Sequence, residues 1–208
     1  MNDDALENLC EVADSFYRRG YAFGSTGNIS VRAEEQVWIT PTGKSLGGLK
    51  PGQLARVDLR GVSLDGNRPS KEFPFHLAVY RQREDVRAVV HLHTTYSVAL
   101  SCLEAFDTEN GLAPLTPYYF MRVAPLAVLP YFRPGSDGLA AAVGDAAPLH
   151  NCMLLRNHGV ICAGSTLSEA VDRTEELEQT ARLHFILRDE RVRHLTPAEV
   201  EELKTAYR

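Results

Sequence analysis

The chain has 208 residues, 44% of them apolar, enough for one domain with a substantial buried core, and no linker-like stretch divides it. Its net charge is −5 and its 22 Lys and Arg residues are scattered, which argues against a phosphate-backbone track and so against nucleic acid. No charged segment followed by an apolar run opens the chain and no apolar run approaches a membrane span, so a single cytoplasmic domain over 1–208, away from the membrane, is expected.

Taken in chain order, "DDALENLCEVADSFYRRG" carries Leu6, Leu9, Cys10, Ala13, Phe16 and Tyr17 at helical spacing, with acids first, arginines last and Gly20 as a stop. The loop "GSTGN" follows. "NISVR" and "QVWITPT" then read as two short strands around "AEE", a hairpin. After the Asp-Gly turn of "VSLDGNRPS", the segment "KEFPFHLAVYRQRED" places Phe73, Leu77 and Tyr80 on one helical face, with Pro74 in the first turn, where a missing N–H costs nothing. "RAVVHLHTTYSVALSCL" reads as a buried strand passing into a helix, and "CMLLRNHGVICAG" as two strands about a turn at Asn157 to Gly159. "TLSEAVDRTEELEQTARLHFIL" starts with Thr166 and Glu169 at capping-box spacing and continues as a long helix. Cys10, Cys102, Cys152 and Cys162 form no CxxC pair and suit reduced core thiols. This mixture favours a mostly antiparallel sheet flanked by helices.

Several of these residues are of a type that carries chemistry. In a period-2 segment His91 and His93 face the same way, and neutral imidazole is a favoured zinc ligand. His158, beside a glycine that allows a sharp backbone turn, is a third candidate, although spacing alone does not join it to the pair. Glu72 stands at a helix start, either interacting with the helix dipole or acting as a base beside a metal. His76, one turn later, reads as a hydrogen-bonded core histidine outside the site. Ser25 and Asn28 in "GSTGN", with Thr42 and Gly43 in "TPTG", are either ordinary turn residues or an anion cradle of backbone N–H groups and small polar side chains.

"GSTGNIS", "ITPTG", "PSKEFPFHLAVY", "VVHLHTTYSVALS" and "LLRNHGVICAG" occur in the order seen in the class II aldolase/adducin family, which the chain resembles over nearly its whole length. Within that family "PSKE", "ALSCL", "LTPYYFMR" and the closing helical segments resemble most the 3-oxo-tetronate 4-phosphate decarboxylases. The resemblance implies a three-layer α/β/α fold with a mainly antiparallel central sheet, and a homotetramer with active sites at subunit boundaries. It implies that His91, His93 and His158 bind one divalent metal, zinc, that Glu72 is the acid/base, and that Ser25, Asn28, Thr42, Gly43 and Ser70 bind phosphate. Lys71 replaces a small residue of aldolase relatives and points to tighter phosphate binding or a substrate with an added carboxylate. By the same resemblance Tyr118, or Tyr119 if the register differs by one, corresponds to the catalytic tyrosine that aldolase relatives contribute from the neighbouring subunit to protonate the departing alkoxide.

The implied reaction is decarboxylation of a phosphorylated sugar acid, a 3-oxo-tetronate 4-phosphate, to dihydroxyacetone phosphate and CO2 through an enediolate, with the metal as electron sink. The alternatives are a fuculose phosphate type aldolase, a ribulose phosphate 4-epimerase, and a non-catalytic adducin-like interaction domain.

Overall fold

The computed structural model describes residues 3–104, 106 and 112–206. Helix α1 (Asp3–Arg18) buries Leu9, Cys10, Ala13 and Phe16, and Gly20, at φ +77°, ends the segment in the left-handed conformation that glycine tolerates. Tyr17 lies outside that stripe, with its ring laid over Gly47. The expected hairpin is β1 (Asn28–Ala33) and β2 (Gln36–Ile39), antiparallel with Ala33 opposite Gln36. Strand β2 is shorter than the sequence expects, and Pro41 instead makes an isolated bridge to Pro69.

After a 3₁₀ turn (Pro51–Gln53) come β3 (Ala55–Asp58), α2 (Phe73–Gln82), β4 (Ala88–Leu92) and α3 (Thr95–Ser101). The remaining elements are α4 (Pro117–Arg122), β5 (Leu126–Leu129), α5 (Asp137–Ala146), β6 (Cys152–Leu155), β7 (Gly159–Gly164), α6 (Leu167–Ile186) and α7 (Pro197–Ala206). Thr166 caps α6 by accepting from the Glu169 N–H, but the Glu169 carboxylate reaches Ser165 rather than Thr166, so the reciprocal half of the capping box falls one residue early.

The seven strands form one sheet in the order β3-β2-β1-β4-β7-β6-β5. All neighbouring pairs are antiparallel except β5 and β6, which α5 connects as a crossover. Helices cover both faces. Strand alternation sends Val89, Met153, Leu155, Ile161 and Ala163 towards Phe75, Tyr80 and Val143 of α2 and α5. It sends Ile29, Val90 and Leu92 towards α1, and Leu154, Val160 and Cys162 towards Tyr119 and Leu177 of α4 and α6. The architecture is three-layer α/β/α around a mainly antiparallel sheet, as expected. Cys10, Cys152 and Cys162 are buried free thiols; Cys102, at the end of α3, is exposed and departs from the core reading. Among the described residues no helix is long and apolar enough to cross a membrane.

Candidate metal centre

Central strand β4 is buried at every position, and its alternation puts His91 on the same face as Val89, in a T-shaped contact with the Phe75 ring of α2. The His91 Nδ1–H donates to the Val160 carbonyl of neighbouring β7 at 2.8 Å, which leaves the Nε2 lone pair directed away from the sheet. His93 lies just beyond the strand, and its Nε2 comes within 3.0 Å of His91 Nε2. His158 arrives from the β6–β7 turn. There Asn157 adopts φ +55°, and Gly159 packs so tightly that an added Cβ would sit 2.4 Å from the Leu92 carbonyl oxygen and 2.9 Å from His93 Cδ2.

Glu72 completes the group. It is the N-cap residue of α2 but makes no side-chain cap hydrogen bond. Its carboxylate turns to the sheet, with Oε2 3.3 Å from His91 Nε2 and Oε1 3.3 Å from His158 Nε2. One donor atom from each of Glu72, His91, His93 and His158 lies within 4.8 Å of every other. The three histidines expected to bind metal lie together, with the Glu72 carboxylate beside them. Glu72 Oε1 and His158 Nε2 are buried without a hydrogen-bond partner, a costly arrangement in a protein interior unless something is bound between them.

The electrostatics agree with a cation site. Burial, followed by the charges of His91 and His158, holds the His93 imidazole down at about 3, so it is neutral near pH 7, the form that ligates metals. Burial pushes the Glu72 carboxyl up, but His91 and His158 outweigh it and hold the group well below the usual carboxylate range. Three imidazoles and a carboxylate converging on buried space fit one divalent cation.

The profile of the class II aldolase and adducin N-terminal domain matches residues 7–185. The chain belongs to the class II aldolase and adducin family. It is 47% identical over 206 residues to the 3-oxo-tetronate 4-phosphate decarboxylase of Haemophilus influenzae, covering 98% of each chain. It is 35% identical over 182 residues to an L-fuculose phosphate aldolase of Methanococcus maripaludis, covering 88% of this chain and 96% of that one. The crystal structure of YgbL from Klebsiella pneumoniae superposes with a TM-score of 0.94 at 45% identity, covering 98% of this chain and 99% of that one.

In this class II aldolase domain Thr40 bonds both to Ile29 of β1 and to the Ser70 N–H, and the Thr42 N–H donates to the Arg68 carbonyl, which ties the Thr42 segment to the one that leads into Ser70 and Glu72. Ser25, Thr42, Gly43 and Lys71 are exposed; Ser70 is buried, its hydroxyl accepting from the Glu72 N–H at 3.3 Å. Asn28 is turned inward. Its side chain is 3% exposed, donates to Glu72 Oε2 at 3.0 Å and accepts from His76 Nε2. Tyr118 is not brought to the cluster within one chain. It stands on α4, 57% exposed, with the Arg122 guanidinium 5.3 Å from its ring centre, whereas Tyr119 is 2% exposed and belongs to the core.

Proposed function

We propose that the protein is a zinc-dependent 3-oxo-tetronate 4-phosphate decarboxylase, yielding CO2 and dihydroxyacetone phosphate. The observation that carries this reading is the Glu72, His91, His93 and His158 cluster in a chain matching an enzyme of that name at 47% identity along 98% of its length. Identity to the fuculose phosphate aldolase is lower, 35%, which ranks retro-aldol cleavage and 4-epimerisation second.

His91, His93 and His158 would hold the cation through imidazole nitrogens, and the 3.0 Å between His91 Nε2 and His93 Nε2 suits a small ion with bonds of about 2.0–2.2 Å. When bound, the cation supplies Lewis acidity for the electrons left behind as the C1–C2 bond breaks. Ser25, Thr42, Gly43 and Ser70 bind the phosphate, which orients the C1 carboxylate for departure. Lys71, exposed beside Glu72, adds a cation for the phosphate or that carboxylate. Glu72 delivers a proton to C2 and thereby completes dihydroxyacetone phosphate. Loss of CO2 from a carboxylate consumes one proton, so Glu72 is recharged from water before the next turnover.

We further infer a cytoplasmic homotetramer, with Tyr118 entering the neighbouring subunit's site. The exposure of Tyr118, against the burial of Tyr119, supports that choice of register. Decarboxylation needs no proton on a leaving alkoxide, so Tyr118 orients substrate rather than protonating it. The decisive experiment gives metal-loaded protein a 4-phosphorylated 3-oxo-tetronate, its unphosphorylated acid, fuculose 1-phosphate and ribulose 5-phosphate in parallel. CO2 and dihydroxyacetone phosphate from the first, with the unphosphorylated acid much poorer, are expected. Aldehyde release or epimerisation without CO2 would overturn the reading.

A further inference from the structure

Beneath Glu72 lies a polar seam that the decarboxylase reading does not use. Glu72, His76 and Tyr80 stand at i, i+4 and i+8, one stripe of α2, while Asn28 and Ser30 stand at i and i+2, one face of β1. All five are buried and interlock alternately between helix and strand. Asn28 Nδ2 is 3.0 Å from Glu72 Oε2, and Asn28 Oδ1 is hydrogen-bonded to His76 Nε2. Ser30 Oγ is 2.8 Å from His76 Nδ1 and 2.7 Å from the Tyr80 hydroxyl. Asn28 also pairs directly with His91 across β1 and β4, so the seam ends among the metal-site residues.

The direction of every bond follows from its last member. An ionised carboxylate only accepts, so Asn28 presents its NH2 group to Glu72 and its carbonyl oxygen to His76. His76 must then donate from Nε2, which leaves Nδ1 bare to accept the Ser30 hydroxyl proton. The Ser30 oxygen in turn accepts from the Tyr80 hydroxyl, which also lies 3.1 Å from the Ser30 carbonyl. Burial holds the His76 imidazole neutral, at about 3, and a neutral ring is what a relay with one donor and one acceptor nitrogen requires. Apolar side chains would fill a helix–sheet seam with less desolvation, so a fully satisfied polar chain ending on one carboxylate calls for a purpose at that carboxylate.

We propose that Tyr80, Ser30, His76 and Asn28 form a donor chain of positioning residues that fixes Glu72 by Oε2 and leaves Oε1, its unpartnered oxygen, as the atom that exchanges a proton with substrate carbon. Asn28 thereby belongs to the acid/base rather than to phosphate recognition through its side chain. The inference rests on the assignment of Glu72 as the proton donor at C2, but not on which acid is decarboxylated.

Three measurements test it. In the metal-free protein, ¹⁵N NMR of His76 should report the Nε2–H tautomer; an Nδ1–H tautomer overturns the donor order, whatever the substrate proves to be. His76→Leu removes the donor, lets the Asn28 amide rotate, and should lower kcat roughly 100-fold while KM and metal content stay within about two-fold. His76→Gln offers an amide donor and acceptor in similar places and should recover all but about 10-fold of the lost kcat. The same variants should lose, in the same proportion, solvent-deuterium exchange into dihydroxyacetone phosphate, a reaction that needs no oxo-tetronate. A folded, metal-replete His76→Leu with wild-type kcat and exchange overturns the positioning role while leaving the decarboxylase reading intact. Should His76→Leu not fold, Asn28→Asp sets a second carboxylate against Glu72 Oε2 and must reduce the exchange rate; an unchanged rate overturns the proposal equally.

Discussion

Substituting Gly159 by alanine tests how the metal site is assembled. The new methyl would lie 2.4 Å from the Leu92 carbonyl oxygen and 2.9 Å from His93 Cδ2, whereas real Cβ atoms keep at least 3.0 Å from such neighbours. Because the nearest obstacle is backbone, β4 and the β6–β7 turn must part by at least about 0.6 Å (3.0 less 2.4). That separation moves His93 and His158 apart. Overpacking of this kind costs roughly 1–3 kcal/mol, and a chain of this size loses about 2–4 °C of Tm for each kcal/mol. Misplacing reacting groups by up to about 1 Å costs around 100-fold in rate, so turnover should fall far more than stability. The assay pairs thermal unfolding of the metal-free protein with metal titration and turnover, using Gly52→Ala, where an added Cβ meets nothing within 4 Å, as the control. Metal affinity and kcat unchanged in a folded Gly159→Ala protein would refute the reasoning.

Replacing His91, His93 or His158 with alanine should reduce the metal bound per chain and abolish turnover while the fold persists; full activity in a thoroughly metal-free preparation would contradict the cluster's role. Tyr118→Phe should lose less than the roughly 100-fold expected for deleting a general acid, and a greater loss in steady-state kinetics would give Tyr118 a proton-transfer role. His76 should also contribute to acid sensitivity. Its folded pKa of about 3 lies below the unfolded value of 6.5, so the unfolded chain binds the extra proton, and the stability present above pH 6.5 is lost as pH falls towards 3. In denaturant titrations of metal-free protein, wild type should lose up to about 1.4 kcal/mol per pH unit more than His76→Gln across that window, and parallel curves would show that His76 is not held neutral.

Local spacing in the chain was enough to define α1, the β1–β2 hairpin, α2, the β4–α3 passage, the β6–β7 turn and α6, because each is specified by neighbours a few residues apart. The apolar stripe Leu9, Cys10, Ala13, Phe16 has one helical solution, and His91 and His93 share a face through period-2 alternation. Short elements without a strong period, such as "LAVL" of β5 and "DGLAAAVGDA" of α5, were not legible, since four apolar residues or a glycine- and alanine-rich run fit several conformations. Their crossover, with β5 parallel to β6, depends on sheet partners distant in sequence.

The metal site divides along the same line. Residue chemistry named the histidines and Glu72, and the resemblance joined them, but convergence within 4.8 Å exists only because β4 pairs with β7 and α2 lies across them. The sequence assigned Gly159 to a sharp turn; in the fold Asn157 takes the left-handed conformation, and Gly159 is needed because the end of β4 leaves no room for a Cβ. His76 was readable as a hydrogen-bonded core histidine, yet its partners Asn28 and Ser30 lie on a strand more than forty residues earlier. Side-chain type and period are local properties of a chain, whereas the direction of a buried hydrogen bond and the space beside a glycine are set by whichever segment the tertiary fold packs against them.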